Sequence, residues 1–184
     1  MESTVKIIGI AGSLRKGSWN RAALRAAQAL QPEGVRVDIF DLDGIPLFNQ
    51  DNETPPPARV AELRAQVRAA DAVLFATPEY NYSIPGVLKN AIDWGSRPYG
   101  ESSWQGKPVA VMGATEGPLG TVRAQQHLRQ LLPGLGMYQL TAPEVLIYGA
   151  SQKFGAAGNL TDEHTSTSIQ GLLTALAAWT RRLG

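Results

Sequence analysis

Short apolar runs alternate with helical patterns along the chain. Residues 5–11 are almost continuously apolar, which is typical of a strand buried on both faces. Residues 20–30 are rich in Ala and Leu and predict a helix. Residues 35–40 then alternate between apolar and polar positions, which indicates a second strand with a more exposed position. This segment therefore predicts a strand–helix–strand unit.

The same alternation continues after an irregular stretch. Residues 41–57 contain an Asp-Gly pair and three consecutive prolines, so regular structure is expected to resume only after Pro57. Three further strands are predicted at residues 71–76, 109–114 and 145–148. The remaining predicted helices are residues 58–70, 86–94 and 120–132, and an amphipathic closing helix that follows Asp162.

Five strands that alternate with helices predict βαβ crossovers, and therefore a parallel sheet covered by helices on both faces. Five strands favour the flavodoxin-like order 2-1-3-4-5, a three-layer α/β sandwich, over the longer two-half dinucleotide fold. The length of 184 residues suits a single domain over residues 1–184. In such a sheet, ligands bind outside the carboxyl ends of the strands, so we expect the site in the loops after strands one, three and four.

Composition excludes several kinds of function. The sequence has no cysteine, which excludes disulfides, thiolate catalysis and cysteine metal sites and permits a reducing compartment. A net charge of +1 is too weak a bias for binding nucleic acid or an anionic membrane surface. The sequence has neither a signal-peptide pattern nor a run near the roughly 20 apolar residues of a membrane span. The expected location is the cytoplasm.

The first loop, residues 12–20, has the composition of a phosphate site. A dianionic phosphate needs main-chain N–H groups, hydroxyls and a cation at a helix N-terminus. Two glycines in the loop, Gly12 and Gly17, allow a tight turn. The candidate phosphate-binding side chains are Ser13, Arg15, Ser18 and Asn20. The loop matches neither a Walker motif nor Gly-x-Gly-x-x-Gly, and an ordinary turn with capping serines remains the alternative.

Two later loops can approach a flat ligand. The second loop, residues 77–86, places two tyrosines and an asparagine between prolines, which restrict the main chain. Tyrosines can cover the faces or edges of a heterocycle, and a helix entry with aromatic packing is the alternative. The third loop, residues 113–121, carries glycines that permit close approach of the main chain to a ligand. Beyond them, Trp94 is expected in the core, and Arg97 either reaches a cofactor phosphate or is solvated.

Together the three loops resemble the NADPH-dependent FMN reductase family, which includes bacterial NAD(P)H:quinone, chromate and azo reductases. The resemblance rests on residues 12–20, on the long stretch 78–94 that begins Pro-Glu-Tyr-Asn-Tyr-Ser-Ile-Pro-Gly, and on residues 106–108. It implies that the first loop binds the FMN phosphate, that the second lies along the isoalloxazine ring and that the third approaches its pyrimidine side. The implied cofactor-binding residues are Ser13, Arg15, Gly17, Ser18, Asn20, Pro78, Glu79, Tyr80, Asn81, Tyr82, Thr115, Glu116 and Gly117.

The resemblance also implies an activity. FMN would take hydride at N5 from NADPH or NADH and pass electrons to quinones, chromate, azo compounds or free flavin in a ping-pong scheme. No acid or base from the protein is needed for this, and the sequence has neither a nucleophile elbow nor metal-ligand spacing. His127 and His164 lie in segments unrelated to the three loops, and His127 is expected on a helix surface. Family members are commonly homodimers or homotetramers.

Three alternatives remain at this point. The first is a non-catalytic electron carrier of flavodoxin type, although such carriers are usually strongly acidic and this chain is nearly neutral. The second is an FMN-binding interaction module without turnover. The third is an NAD-binding dehydrogenase that uses Gly12 and an acid near Asp38 or Asp41.

Glu116 departs from the resemblance, because family members often carry small or apolar residues after the fourth strand. If its carboxylate faces the ring, it disfavours an anionic reduced flavin and lowers the reduction potential. A side chain turned to solvent is the alternative interpretation.

Overall fold

The six strands form one parallel sheet. The structure, a computed structural model, describes residues 3–184. The strands are β1 Val5–Ala11, β2 Val35–Phe40, β3 Ala72–Ala76, β4 Pro108–Ala114, β5 Tyr138–Gln139 and β6 Val145–Ile147. Their order is β2-β1-β3-β4, and β5 and β6 both pair with the outer side of β4. The predicted flavodoxin-like order is therefore confirmed.

The fifth position of the sheet is occupied by two short strands, where the sequence predicted one. β5 pairs with the start of β4, in register Val109 to Gln139, and β6 pairs with its end, in register Met112 to Val145. Six residues separate Gln139 from Val145, whereas only three separate their partners on β4, Val109 and Met112. Three residues therefore bulge out of the ladder between β5 and β6. The intervening segment contains Pro143, which has no N–H to donate to a neighbouring strand.

The five predicted helices are confirmed to within two residues at each end. They are α1 Trp19–Ala29, α2 Ala58–Ala69, α3 Gly86–Gly95, α4 Val122–Leu131 and α5 Glu163–Leu183. Short 3₁₀ turns lie at Gln50–Asn52, Pro133–Leu135 and Ala150–Gln152. α4 begins two residues later than predicted because Gly120 and Thr121 have φ values of 56° and 66°, which a right-handed helix cannot contain.

The helices cover both faces of the sheet. α1 and α5 pack on one face, and α2, α3 and α4 pack on the other. Adjacent residues of one strand pack in different cores. Leu74 of β3 packs in the core beneath α1 and α5, and Phe75 packs in the core beneath α2, α3 and α4. Burial on both faces explains why β1, β3 and β4 are apolar without interruption. Trp94 is buried, at 1% exposed, as predicted.

The described part of the chain has neither a membrane-spanning helix nor a metal-binding cluster. Across residues 3–184, every helix is too short or too polar to cross a bilayer. Within the same residues, His, Asp and Glu side chains nowhere gather in a group of three that could hold a metal ion.

Candidate functional site

The three loops lie side by side at the carboxyl edge of the sheet. Main-chain hydrogen bonds continue the ladder beyond the strands: the N–H of Gly12 donates to the carbonyl of Ala76 at 2.9 Å, and that of Thr77 donates to Met112 at 2.9 Å. The third loop is joined to the end of β6 in the same way. β1 and β3 are neighbours whose connections leave in opposite directions, so the first two loops flank the switch in strand order.

The first loop has the properties of an anion site. Ser13 and Ser18 are each 5% exposed, and their hydroxyl oxygens accept main-chain N–H groups of Arg15 and Arg21 at 3.4 and 3.3 Å. Each hydroxyl therefore keeps its own hydrogen for an acceptor such as a phosphate oxygen. The first turn of α1 contains no acidic residue, so the positive end of the helix dipole is available to an anion.

A guanidinium group lies over the same loop. Arg15 is exposed, and its Nη2 donates to the carbonyl of Gly17 at 2.6 Å, which holds the charged group close to the hydroxyls. Hydroxyls, a cation and a helix N-terminus together match the donors that a dianionic phosphate requires. The residues present therefore fit the phosphate of FMN.

Asn20 has a different role from the one predicted. It is 2% exposed, its Nδ2 donates to the carbonyl of Ala114 at 2.9 Å, and its Oδ1 accepts the N–H of the same residue at 2.9 Å. Both ends of the amide are thus used by the main chain at the end of β4. The expectation that Asn20 binds phosphate is not supported by this arrangement, in which Asn20 joins the first loop to the third.

The second loop contains a tight turn in an unusual conformation. Tyr80 and Ser83 exchange two main-chain hydrogen bonds of 3.0 Å, and the central residues Asn81 and Tyr82 have φ values of 50° and 69°. Positive φ at both central positions is the pattern of a type I′ turn. A tyrosine in this region costs roughly 1–2 kcal/mol, and such strain is often found at functional sites. Tyr80 is 49% exposed and Tyr82 67%, so both rings are available to a ligand.

The residues before this turn are less accessible. Pro78 is buried, and its carbonyl accepts the hydroxyl of Thr77 at 2.8 Å. The carboxylate of Glu79 accepts the N–H groups of Arg123 and Ala124 at 3.1 and 3.3 Å, and it also forms an ion pair with Arg123. Glu79 therefore uses its side chain on α4, which leaves its main chain for any contact with a flavin.

The prediction that both histidines are unrelated to the loops is wrong for His127. Its Nδ1 lies 3.1 Å from the hydroxyl of Ser83, at the end of the second-loop turn. Arg123, one helical turn earlier on α4, places its guanidinium carbon 3.7 Å from the ring centre of Tyr82. The two contacts show that one face of α4 packs on the second loop, which local sequence patterns do not reveal.

The third loop is held against two neighbours. The hydroxyl of Thr115 accepts the N–H of Gly117 at 3.2 Å, which closes the loop on itself. At Gly113, a Cβ atom would lie 1.8 Å from Oγ1 of Thr121 and 2.5 Å from the carbonyl oxygen of Thr77. Only glycine allows the second and third loops to approach this closely.

Glu116 is engaged by a residue that the sequence analysis missed. Its carboxylate accepts the N–H of Ser151 at 3.1 Å and the Ser151 hydroxyl at 2.8 Å. The hydrogen bond from the Ser151 hydroxyl is the main cause that lowers the pKa of Glu116, and Trp19 and Arg15 act in the same direction. Glu116 is exposed, and its carboxylate lies beside the first loop with Ser151 as its hydrogen-bond partner. Ser151 follows β6 without any motif that could have indicated it.

Arg97 fits neither arrangement expected for it. Its Nε donates to Glu53 at 2.8 Å, and its guanidinium carbon lies 5.8 Å from the ring centre of Phe48. The Glu53 carboxylate is only 13% exposed, so the pair ties the irregular segment after β2 to the end of α3. Arg97 is therefore a structural residue in this protein.

Fold and site together define a flavodoxin-like protein with a loop whose donors fit a phosphate and with an exposed aromatic turn. The family model of NADPH-dependent FMN reductases matches residues 5–152. An NAD(P)H-dependent FMN reductase of Pseudomonas aeruginosa is 52% identical, with 100% of this chain and 99% of that protein covered. A 2-hydroxy-1,4-benzoquinone reductase of a Burkholderia species is 40% identical, with 96% and 97% covered. The flavoenzyme FerB, an NAD(P)H:(acceptor) oxidoreductase of Paracoccus denitrificans, superposes with a TM-score of 0.90 at 37% identity, covering 98% and 99%.

The chain belongs to the NADPH-dependent FMN reductase family. The predictions of an oxidoreductase, of FMN as cofactor and of NAD(P)H as co-substrate are thereby confirmed. A non-catalytic electron carrier is not favoured, because relatives that match nearly the whole chain are named as reductases.

Proposed function

We propose that this protein passes electrons from NADPH or NADH through bound FMN to quinones, and to similar acceptors such as chromate, azo compounds and free flavin. The observation that carries the proposal is the exposed, strained turn at Tyr80–Ser83, placed beside a phosphate-competent loop at the switch in strand order. The quinone as acceptor is supported by the Burkholderia relative, whose name is that of a benzoquinone reductase.

Each loop would hold a different part of the cofactor. The hydroxyls of Ser13 and Ser18, the N–H groups at the start of α1 and the Arg15 guanidinium would bind the phosphate. Residues 78–82 and 115–117 would contact the ring. When bound, FMN would supply the redox chemistry, and the protein would bind and orient it.

The surface around the loops suits flat apolar partners. Large hydrophobic side chains are exposed in the three loops and just after β6, namely Leu14, Tyr80, Tyr82, Leu119 and Tyr148. Exposed apolar residues clustered on one edge mark a binding region. Apolar contact of this kind discriminates poorly between acceptors, which supports a broad acceptor range and alternate occupation by nicotinamide and acceptor.

Stopped-flow spectroscopy tests the proposal. Anaerobic holoprotein is mixed with NADH or NADPH, and the reduced protein is then mixed with a benzoquinone. We expect bleaching of the flavin absorbance in the first step and rapid recovery in the second. Bound FMN that neither nucleotide reduces would support the interaction module, and reduced FMN that no small acceptor reoxidises would support the electron carrier.

Replacing Arg15 by alanine should weaken FMN binding. A hydrogen bond to a charged group contributes about 1.5–3 kcal/mol, so the dissociation constant should rise about tenfold or more. The rate of hydride transfer in protein that remains loaded should change much less. FMN release is measured by its fluorescence, with Arg36→Ala as control, because Arg36 forms an exposed ion pair with Asp38 on the edge strand β2. Unchanged FMN affinity in Arg15→Ala would show that the phosphate assignment is wrong.

We also propose that residues 1–184 form one domain, that the protein is a homodimer or homotetramer and that it works in the cytoplasm. The family resemblance supports the oligomer, and a sequence without cysteine is compatible with a reducing compartment. Light scattering of the purified protein measures the number of subunits.

A further inference from the structure

We infer that Glu79 is a positioning residue, which ties the second loop to α4 and thereby fixes the second and third loops relative to each other. The inference rests on the proposed function in one respect, namely that the second loop contacts the flavin ring. It assigns the side chain of Glu79 a role through other residues, so that only its main chain is left for the cofactor contact that the family resemblance implies.

The N-terminus of α4 is capped from outside the helix. Thr121, at its N-cap position, has a φ of 66° and leaves the first N–H groups to other partners. Oε2 of Glu79 accepts the N–H of Arg123 at 3.1 Å and that of Ala124 at 3.3 Å, which are the second and third residues of the helix. A carboxylate at this point satisfies two unpaired donors and complements the helix dipole. Glu79 lies 44 residues before Arg123, so this cap joins two distant segments.

The contacts of Glu79 are shielded from water. Its side chain is 10% exposed, and its other oxygen accepts Nε of Arg123 at 2.5 Å. The same guanidinium lies over the ring of Tyr82 at 3.7 Å. One helical turn later, His127 contacts the hydroxyl of Ser83 at 3.1 Å. One face of α4 therefore contacts the residue just before the turn, the centre of the turn and its end.

These contacts explain how the turn keeps its strained conformation. Asn81 and Tyr82 both have positive φ, a conformation that persists only when the surroundings determine it. α4 begins directly after the third loop. The contacts that hold the second loop to α4 therefore also set the distance between the second loop and residues 115–117. Without the Glu79 carboxylate the turn can relax, and FMN binding must then order it again at the expense of affinity.

Four variants of the holoprotein test this role: Glu79→Ala, Glu79→Gln, Arg123→Gln and the double variant Glu79→Gln/Arg123→Gln. We expect Glu79→Ala to raise the FMN dissociation constant on the order of tenfold, because ordering the loop now accompanies binding. Glu79→Gln keeps an oxygen that can accept the helix N–H groups, so its FMN dissociation constant should lie between those of Glu79→Ala and the wild type. The double variant should lose less FMN affinity than the two single variants lose together. Its dissociation constant should be close to that of one single variant, since both residues act in one unit.

A matched control separates positioning from general stability. Asp162 also caps a helix with its carboxylate, but from the N-cap position of α5 itself, where it accepts the N–H of Thr165 at 2.8 Å. Asp162→Ala should therefore lower the unfolding temperature about as much as Glu79→Ala does, without changing FMN affinity. The visible absorption spectrum of bound FMN should change in Glu79→Ala and Arg123→Gln and stay constant in Asp162→Ala.

Two results would overturn the inference. One is wild-type FMN affinity and spectrum in Glu79→Ala. The other is a large loss of affinity in Glu79→Ala while Arg123→Gln and the unfolding temperature match the wild type, because Glu79 would then contact the cofactor directly. Failure of the proposed function is seen separately, as wild-type protein whose FMN is not reduced by NAD(P)H.

Discussion

Replacing Asn20 by alanine should lower the free energy of unfolding by about 2–4 kcal/mol and release most of the FMN. Asn20 is 2% exposed, and its amide satisfies both the N–H and the carbonyl of Ala114, itself 2% exposed. Truncation leaves these two main-chain groups unpaired, at a cost of about 1–3 kcal/mol each. The higher helix propensity of alanine returns only about 0.5 kcal/mol. The hydrogen bonds that join the first loop to the third are also lost, so the groups proposed to bind FMN should no longer be held in one arrangement.

Urea unfolding and FMN fluorescence measure the two effects. Gln28→Ala is the matched control, because Gln28 also lies on α1 and donates to a main-chain carbonyl, that of Val37 at 2.8 Å, in a part-buried position. We expect its cost to stay below about 1.5 kcal/mol, as for an ordinary hydrogen bond. Asn20→Asp should remain damaging, since its carboxylate can accept the N–H of Ala114 but faces the carbonyl oxygen without a hydrogen. Equal losses in Asn20→Ala and Gln28→Ala would contradict the role assigned to Asn20.

Replacing Gly113 by alanine should destabilise the protein by about 3 kcal/mol or more, at the upper end of overpacking effects. The new Cβ would lie 1.8 Å from Oγ1 of Thr121 and 2.5 Å from the carbonyl oxygen of Thr77. Thr121 is itself held at a φ of 66°, and the Thr77 carbonyl belongs to the main chain, so neither can move without shifting a loop. The second and third loops should separate, and FMN affinity should fall together with stability.

Two further variants test this explanation by calorimetry. Gly113→Ala/Thr121→Gly removes the closer of the two clashes and places glycine at a positive φ, so it should recover part of the lost stability. Gly171→Ala is the control, because its Cβ would enter open space among the residues that the structure describes. Gly171 lies inside α5, so this change should raise stability by up to about 1 kcal/mol. A Gly113→Ala protein as stable as Gly171→Ala would refute the close packing at the end of β4.

Most of the fold could be predicted because its signals are local. The apolar strands, the helical spacing of Val60, Leu63 and Val67 and the prolines before α2 each depend on neighbouring residues. The exception is the fifth position of the sheet, where a bulge separates β5 from β6. A two-residue strand such as Tyr138–Gln139 carries too little pattern to be recognised, and its place is set by pairing with β4.

The candidate site could be located from the sequence, but the binding partners of its side chains could not be predicted. The first loop is confirmed as a cluster of hydroxyls and a cation at a helix N-terminus, and the second as an exposed aromatic turn. The composition of its loop predicts that Asn20 binds phosphate, and the family resemblance predicts that Glu79 contacts the flavin. In the folded protein both bind main-chain groups of other segments, and His127 contacts a loop from which it seemed remote.

The sequence by itself determined the order of the elements, the loops of the candidate site and, through its resemblance, the family and its cofactor. Only the tertiary structure decided which polar groups are already satisfied. Periodicity and turn chemistry act over a few residues, whereas the bonds of Asn20 to Ala114 and of Glu79 to Arg123 span 94 and 44 residues. A side chain's partner across such a distance depends on how helices pack on the sheet, and that packing appears only in the folded chain.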